Sequence, residues 1–145
     1  GRRYLPVEEY KTEDADTVFV TMGSYGELGM EVVDRLRSAG KKVGLVKIRL
    51  FRPFPYDDIT AALTKFKNVL VIDRALSVGG VGGPLASEIK TALYRLQVRP
   101  NIFSFIAGLS GRDVPPEKFI EMYEGAMDGV KNNRWDEFTM VGVRQ

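Results

Sequence analysis

Short apolar runs alternate with longer segments of helical periodicity along most of the chain. The first run, TVFVTM at residues 17–22, is β-branched and apolar, which is typical of a buried strand. Apolar residues then recur at helical spacing, at positions Leu28, Val32, Val33 and Leu36. Gly40 follows where a helix stop is favoured, so this region predicts one strand–helix unit.

The same alternation continues as far as residue 131. Further strands are predicted over 41–51, 68–73 and 101–108, and further helices over 57–66, 84–96 and 115–130. Pro53 and Pro55 break the second strand, while Pro84 stands near the first position of its helix, where proline is favoured. Strands that alternate with helices predict an α/β fold, with a mostly parallel sheet and helices on its faces.

Both ends of the chain are more polar than its centre. Residues 1–16 predict an arm or linker, residues 17–131 the α/β domain, and residues 132–145 an irregular or partly extended tail. We expect this tail to pack on the domain or on a partner. The sequence starts with Gly1 and has no signal-peptide pattern, so we expect a processed chain or a domain of a longer polypeptide.

The composition predicts an ordinary globular domain. The 145 residues are 44% hydrophobic and 28% charged, and the formal net charge of +2 is too small to indicate nucleic acid. No run reaches the roughly 18 consecutive apolar residues of a membrane helix. We therefore expect a cytoplasmic protein without a nucleic-acid or membrane partner.

Two missing residue types exclude whole classes of chemistry. The sequence contains no cysteine, and so no disulfide, thiolate nucleophile or thiolate ligand for zinc or an iron–sulfur cluster. It contains no histidine, which excludes histidine general acid–base catalysis and Ser-His-Asp triads. We identify no catalytic residue and no metal site. Asp73 or Asp113 would serve as a general base only with a shifted pKa.

Glycines follow three of the predicted strands, but none of these loops matches a nucleotide-binding template. From Gly79, a Walker A loop needs glycine where Pro84 stands, and a dinucleotide fingerprint from Gly80 needs glycine where Leu85 stands. The loop Gly23-Ser24-Tyr25-Gly26 fails in the same way. Two interpretations stay open, namely tight structural turns or backbone nests that bind an anion at Gly23–Gly26 or near Gly82–Gly83.

Charged residues cluster at the predicted carboxyl ends of the strands, where ligand sites form in open α/β sheets. An NAD site expects a carboxylate after the second strand, whereas this sequence has cations there. The cluster can be a solvated rim, an interface with another domain or subunit, or a site for a small anion. Its members are Lys47, Arg49, Arg52, Asp73, Arg74, Arg112 and Asp113.

Four stretches carry a family resemblance: DADTVFVTMGSYGE, KKVGLVKIRLFRPFP, VIDRALSVGGVGGPLASEIKTALY and FIAGLSGRDV. Together they resemble the C-terminal domain of the α subunit of pyruvate:ferredoxin oxidoreductase, within the wider family of 2-oxoacid:ferredoxin oxidoreductases. The resemblance runs from about Ala15 to Val114, in the expected order. Ser110 is one departure, because the family pattern has glycine at that position.

The resemblance implies both a fold and a role. It implies a three-layer α/β sandwich similar to the transketolase C-terminal domain. It also implies a complex that oxidatively decarboxylates a 2-oxoacid with thiamine diphosphate and magnesium, forms acyl-CoA, and passes electrons through iron–sulfur clusters to ferredoxin. This domain is then a non-catalytic assembly unit that binds no cofactor and contacts the other domains and subunits. The alternative is a free-standing module that binds CoA or another phosphate-bearing ligand.

Overall fold

A computed structural model describes residues 4–143 of the chain, so the first three residues of the predicted arm and the last two of the tail lie outside it. The described residues form one six-stranded sheet with the order β1-β3-β2-β4-β5-β6. The strand β1 runs antiparallel to β3, and all other neighbouring strands are parallel. The strands are β1 (Val7–Tyr10), β2 (Thr17–Met22), β3 (Val43–Ile48), β4 (Asn68–Asp73), β5 (Asn101–Ala107) and β6 (Thr139–Val141).

Four α-helices cover the two faces of this sheet: α1 (Tyr25–Ser38), α2 (Tyr56–Leu63), α3 (Pro84–Leu93) and α4 (Pro116–Asn132). A single 3₁₀ turn, Leu109–Gly111, follows β5. The helices α1 and α4 share one apolar cluster with the sheet, and α2 and α3 share the other. The predicted fold class, an α/β three-layer sandwich with a mostly parallel sheet, is therefore confirmed.

Strand alternation divides the core between the two faces. In β2, Phe19 packs toward α1 and α4, while Val18 and Val20 pack toward α2 and α3. The central strand β4 is buried along its whole length, as expected for a parallel strand covered on both faces. A strand that is buried on both faces has a continuous apolar sequence. Because β2 and β4 have such sequences, the pattern predicted both strands at the positions where they lie.

The strand β1 is a finding that the sequence pattern did not predict, because it lies inside the segment 1–16 interpreted as an arm. Its sequence, VEEY, has two adjacent glutamates and no apolar alternation. Its register with β3 explains the difference, because Glu8 stands opposite Lys47. Opposite charges on directly facing positions stabilise an antiparallel pair, so a charged edge strand forms without an apolar pattern.

The tail lies against the domain at several points. Its short strand β6 pairs in parallel with β5, and the Trp135 ring stands edge-on to Phe103, with 5.3 Å between the ring centroids. Lys90 Nζ on α3 donates to the Glu137 carbonyl at 3.2 Å. The partly extended conformation predicted for this segment is thus present at β6.

Candidate functional site

The strands β2 to β6 direct their carboxyl ends toward the same edge of the sheet. We call this the carboxyl edge; it includes the residues just after β2 to β5, namely 23–24, 49–52, 74–83 and 108–113. The first residues of β1 also lie there, because Val7 pairs with Ile48. The fold therefore brings the charged residues that follow these strands to one edge, as the sequence predicts.

Asp73 is the buried acid of this edge, and its carboxylate is fully engaged by helix α3. Its Oδ1 accepts the backbone N–H of Leu85 at 2.8 Å, and its Oδ2 accepts that of Ala86 at 3.0 Å. These are two of the N–H groups that a helix start leaves without an intrahelical partner. A residue from the preceding strand thus caps the helix, in the role that a local Ser or Asp usually fills.

The glycine-rich loop makes this cap possible. A Cβ atom on Gly83 would overlap the Asp73 carboxylate, and Gly82 has a φ of +78°, a conformation that other residues rarely adopt. The two N–H groups that would form an anion nest at this helix are already bound by Asp73. These contacts favour the structural interpretation of Gly82 and Gly83 over an anion site.

Burial raises the pKa of Asp73 above the ordinary aspartate value, while the hydrogen bonds from Leu85 and Ala86 oppose that shift. The residue is only 3% exposed, and both oxygens face helix α3. A general base must come within hydrogen-bond distance of its substrate, which a carboxylate this buried does not. The geometry therefore gives Asp73 a structural role.

Tyr25, at the start of α1, joins the ends of β2 and β5. Its hydroxyl donates to the Ala107 carbonyl at 3.2 Å, and a Cβ on Gly108 would overlap that hydroxyl. Burial raises the pKa of Tyr25, while the nearby Arg74 opposes the shift. The neighbouring Gly23 has a φ of +66°, so the loop after β2 also contains a structural glycine.

Arg74 is the exposed cation at the centre of the edge. Its guanidinium lies 4.9 Å from the centroid of the Tyr25 ring, and its Nη1 is 3.3 Å from the Ser24 hydroxyl oxygen, to which it donates. Within residues 4–143 no carboxylate comes into ion-pair distance of Arg74. Its charge is therefore available to a partner outside the described chain.

Lys47 and Arg49 both pair with one acid, Glu8, which the sequence pattern did not indicate. Glu8 on β1 accepts a hydrogen bond from Lys47 Nζ, with 2.8 Å between Nζ and Oε1, and also contacts the Arg49 guanidinium. The hydrogen bond from Lys47 is the largest cause of a lowered pKa at Glu8. The Lys47 stem packs against α1, where a Cβ on Gly26 would come within 2.7 Å of its Cδ.

Arg52 is directed away from this group, toward the face of α2 and α3. Its Nη2 lies 2.7 Å from Glu88 Oε1 on α3, and its guanidinium lies 4.1 Å from the centroid of the Phe51 ring. The Tyr56 hydroxyl donates to the second oxygen of Glu88 at 2.7 Å. Arg52 therefore contributes to holding α2 against α3, and Glu88 is a second acid that the sequence analysis missed.

The loop after β5 supplies Arg112 and Asp113, which have different surroundings. Arg112 Nη1 donates to the Gly142 carbonyl at 2.8 Å and so ties the tail to the edge. Asp113 is exposed and forms no ion pair with any residue of the segment 4–143. Ser110, the departure from the family pattern, has a φ of +58°, a conformation in which glycine is the easier residue.

Two hollows lie near the residues discussed above, one at the carboxyl edge and one between α2 and α3. A polar hollow of about 350 Å³ at the carboxyl edge is lined by residues at the ends of β2 and β3, including Glu27 and Lys47. An open groove of about 710 Å³ between α2 and α3 is lined mainly by threonines and alanines. Across residues 4–143, no group of three acidic side chains is arranged to hold a metal ion. In the same segment, no helix is long and apolar enough to cross a membrane.

Residues 15–119 match the family model described as pyruvate:ferredoxin oxidoreductase core domain II. The chain belongs to this family. The resemblance inferred from the sequence is thereby confirmed. The part that matches core domain II includes Lys47, Asp73 and Arg74, whereas β1 with Glu8 precedes it and β6 follows it.

Relatives of this core domain II chain are subunits of larger enzymes. Pyruvate synthase subunit PorA of Thermotoga maritima is 43% identical over 145 residues, and its counterpart in Pyrococcus furiosus is 37% identical over 145 residues. The alpha subunit of an NADH-dependent phenylglyoxylate dehydrogenase from Aromatoleum evansii is 42% identical over 79% of this chain and 28% of its own length. The chain covers 36% of each of the two PorA subunits, or about a third of their length.

A solved structure shows the same fold. The 2-oxoglutarate:ferredoxin oxidoreductase from Magnetococcus marinus, with 2-oxoglutarate, coenzyme A and succinyl-CoA bound, superposes with a TM-score of 0.60 at 22% identity. The superposition covers 84% of this chain and 20% of the other. At this identity the likeness concerns the fold of core domain II.

Proposed function

We propose that this chain is a non-catalytic assembly domain of a pyruvate or related 2-oxoacid:ferredoxin oxidoreductase. The whole enzyme would decarboxylate the 2-oxoacid oxidatively, form acyl-CoA and pass electrons to ferredoxin. Membership of the core domain II family supports this role, as do the names of the PorA relatives. The carboxyl edge would contact other domains or subunits of that enzyme.

The observation that carries the proposal is the engagement of Asp73. It is the buried carboxylate at the edge, and both its oxygens accept N–H groups of α3. Two of the nearby cations, Lys47 and Arg49, pair with Glu8. Many of the charged side chains at the carboxyl edge therefore form contacts within the domain, as expected for a structural unit.

Thiamine diphosphate, magnesium, the iron–sulfur clusters and CoA belong to other parts of the enzyme in this proposal. The residues present do not fit a cluster or a metal ion, because the sequence has no cysteine for a cluster and residues 4–143 hold no metal-ligating carboxylate group. At the start of α3, the N–H groups of Leu85 and Ala86 are already bound by Asp73. The partners are the remaining domains and subunits, with ferredoxin for the complex, in the cytoplasm and without nucleic acid or membrane.

The proposal is tested by turnover in the assembled oxidoreductase that carries Asp113→Asn. Loss of a general acid or base costs about 10²- to 10⁴-fold in rate. We expect pyruvate-dependent ferredoxin reduction per assembled complex to stay within about twofold of wild type, because the loss of a general acid or base would lower the rate far more. A hundredfold loss in a fully assembled complex would assign catalytic work to this domain.

A second candidate is a module that binds CoA or another phosphate-bearing ligand, with Gly23, Ser24, Tyr25 and Gly26 as the backbone contacts. The observation in its favour is the exposed guanidinium of Arg74, which donates to the Ser24 hydroxyl and has no carboxylate partner in the described chain. Calorimetry with CoA at millimolar concentration separates the two candidates. Heat that disappears in Arg74→Ala would favour the module, and no heat would exclude it.

A further inference from the structure

The loop between β4 and α3 is fixed at its base. We call residues 74–83 the docking loop. The Ser77 N–H donates to the Gly82 carbonyl at 2.8 Å and closes a six-residue turn, and Asp73 anchors the start of α3 just beyond it. The tip of the loop is therefore presented on a closed frame. A preformed loop loses less conformational freedom when it binds.

This fixed loop exposes apolar side chains to solvent. Val78 is fully exposed, at 105% of the reference area, and Val81 and Leu76 are 64% and 42% exposed. Met22, the last residue of β2, and Leu50, just beyond β3, are also exposed at the same edge. Single exposed apolar residues are ordinary, whereas contiguous exposed apolar groups mark an interaction surface, and Leu76, Val78 and Val81 share one short loop.

Among residues 4–143, no acid forms an ion pair with Arg74 or Arg112. Arg74, at the first position of the docking loop, contacts the Ser24 hydroxyl and the Tyr25 ring, and Arg112 donates to a backbone carbonyl. Lys47 and Arg49, by contrast, share Glu8. A guanidinium held in place beside apolar groups is suited to pair with a carboxylate in a fixed orientation.

We infer that the docking loop binds another chain of the same oxidoreductase, through a carboxylate that pairs with Arg74 and an apolar recess that receives Val78 and Val81. This inference rests on the proposed function and specifies which part of the carboxyl edge makes the contact. Arginine and buried apolar anchors are the groups that carry most binding energy at protein interfaces. The relatives are named as subunits, which is consistent with a partner chain.

The test compares matched substitutions at opposite edges of the sheet. Val78→Asp and Arg74→Glu alter the docking loop. Val98→Asp and Arg95→Glu are the controls, because Val98 is 88% exposed and both residues lie between α3 and β5, at the other edge. Each variant is made in the native polypeptide that carries this sequence and is co-expressed with the remaining chains of the oxidoreductase.

Association is measured by analytical ultracentrifugation over a range of concentrations, with circular dichroism to establish that each variant is folded. We expect Val78→Asp and Arg74→Glu to weaken assembly at least tenfold. Val98→Asp and Arg95→Glu should stay within twofold of wild type. Arg74→Lys should recover part of the loss, because it keeps the charge but not the planar fork of the guanidinium.

Wild-type assembly of both folded docking-loop variants would overturn the inference and leave the proposed function in place. Equal weakening by the variants and by the controls would also overturn it, because the effect would not be specific to the docking loop. If the oxidoreductase assembles and turns over fully without this chain, the proposed function itself fails. The two failures are therefore distinguishable.

Discussion

At the scale of single residues, the carboxyl edge contains two acids with opposite shifts. Burial raises the pKa of Asp73, whereas the hydrogen bond from Lys47 is the largest cause of the lowered pKa of Glu8. Asp73 is buried and the N–H groups that it accepts only oppose the effect of burial, whereas Glu8 accepts an ammonium whose hydrogen bond outweighs its own desolvation. Both acids serve the fold, one by capping a helix and one by fixing an edge strand.

Removal of the Asp73 carboxylate should destabilise the chain strongly. Asp73→Ala leaves the N–H groups of Leu85 and Ala86 buried without a partner, and each unsatisfied group costs about 1–3 kcal/mol. We expect a loss of about 2–4 kcal/mol in urea unfolding. Asp57→Ala, at an exposed position in the first turn of α2, is the control and should cost at most about 1 kcal/mol.

The variant Asp73→Asn separates the cap from the charge. It keeps one oxygen acceptor and should lose about half as much as Asp73→Ala. Because the folded pKa is raised, the folded state favours the protonated acid, and the stability it contributes is lost as pH rises through that pKa. The advantage of wild type over Asp73→Asn should therefore grow as pH falls. An advantage that shrinks on acidification would contradict this account.

Gly83→Ala tests the close approach of the loop to Asp73. The added Cβ would overlap the carboxylate, so either the cap or the loop must shift. Overpacking of this kind costs about 1–3 kcal/mol, and loss of the cap adds to it. Gly125→Ala in α4 is the matched control, because nothing lies within 4 Å of its Cβ position. Thermal unfolding should show a gain of about 0.5–1 kcal/mol for Gly125→Ala and a clear loss for Gly83→Ala.

At the scale of elements, the sequence predicts what an element's own residues determine. The strands β2 and β4 and all four helices follow from apolar runs and helical periodicity. The strand β1 depends on Glu8 facing Lys47, and β6 is three residues long and largely exposed. Both edge strands are defined by their neighbours, so the local pattern contains too little information to predict them.

The same limit applies to the candidate site. The sequence placed Asp73 and Arg74 at the carboxyl edge, because strand ends are predictable from the pattern. It did not pair Asp73 with Leu85 and Ala86, which lie 12 and 13 residues further along. That pairing requires the path of the loop, which depends on the positive φ of Gly82 and on the absence of a Cβ at Gly83. The sequence does contain a signal for this helix cap. An otherwise apolar strand ends in one acid, and a pair of glycines stands before Pro84.

The attachment of β1 should depend on pH through Glu8. Its folded pKa is lowered, so the stability it contributes is present above the ordinary glutamate pKa of 4.5 and is lost as pH falls through the folded value. Glu8→Gln should therefore be less stable than wild type at pH 7, and the difference should shrink as pH falls through the folded pKa of Glu8. Urea unfolding at several pH values measures this difference in unfolding free energy. Glu13→Gln, at an exposed position, is the control.

At the scale of the whole molecule, charge is distributed unevenly along the carboxyl edge. Glu8, from outside the part that matches core domain II, compensates Lys47 and Arg49 at one end. The docking loop, with Arg74 and Val78, stays uncompensated near the middle. This asymmetry predicts an interface at one segment of the edge. The wild-type complex should accordingly assemble less tightly as salt concentration rises, and Arg74→Glu should reduce that dependence.

If this chain contributes assembly and no catalytic group, a substitution in the docking loop should lower the yield of the complex and leave the turnover of each complex unchanged. Val78→Asp is introduced into the oxidoreductase, and the yield of complex and the turnover of each purified complex are both determined. The account predicts at least a tenfold lower yield at the same expression, with pyruvate-dependent ferredoxin reduction per complex within about twofold of wild type, far from the 10²-fold loss expected of a catalytic group. Full assembly together with lost turnover would contradict it.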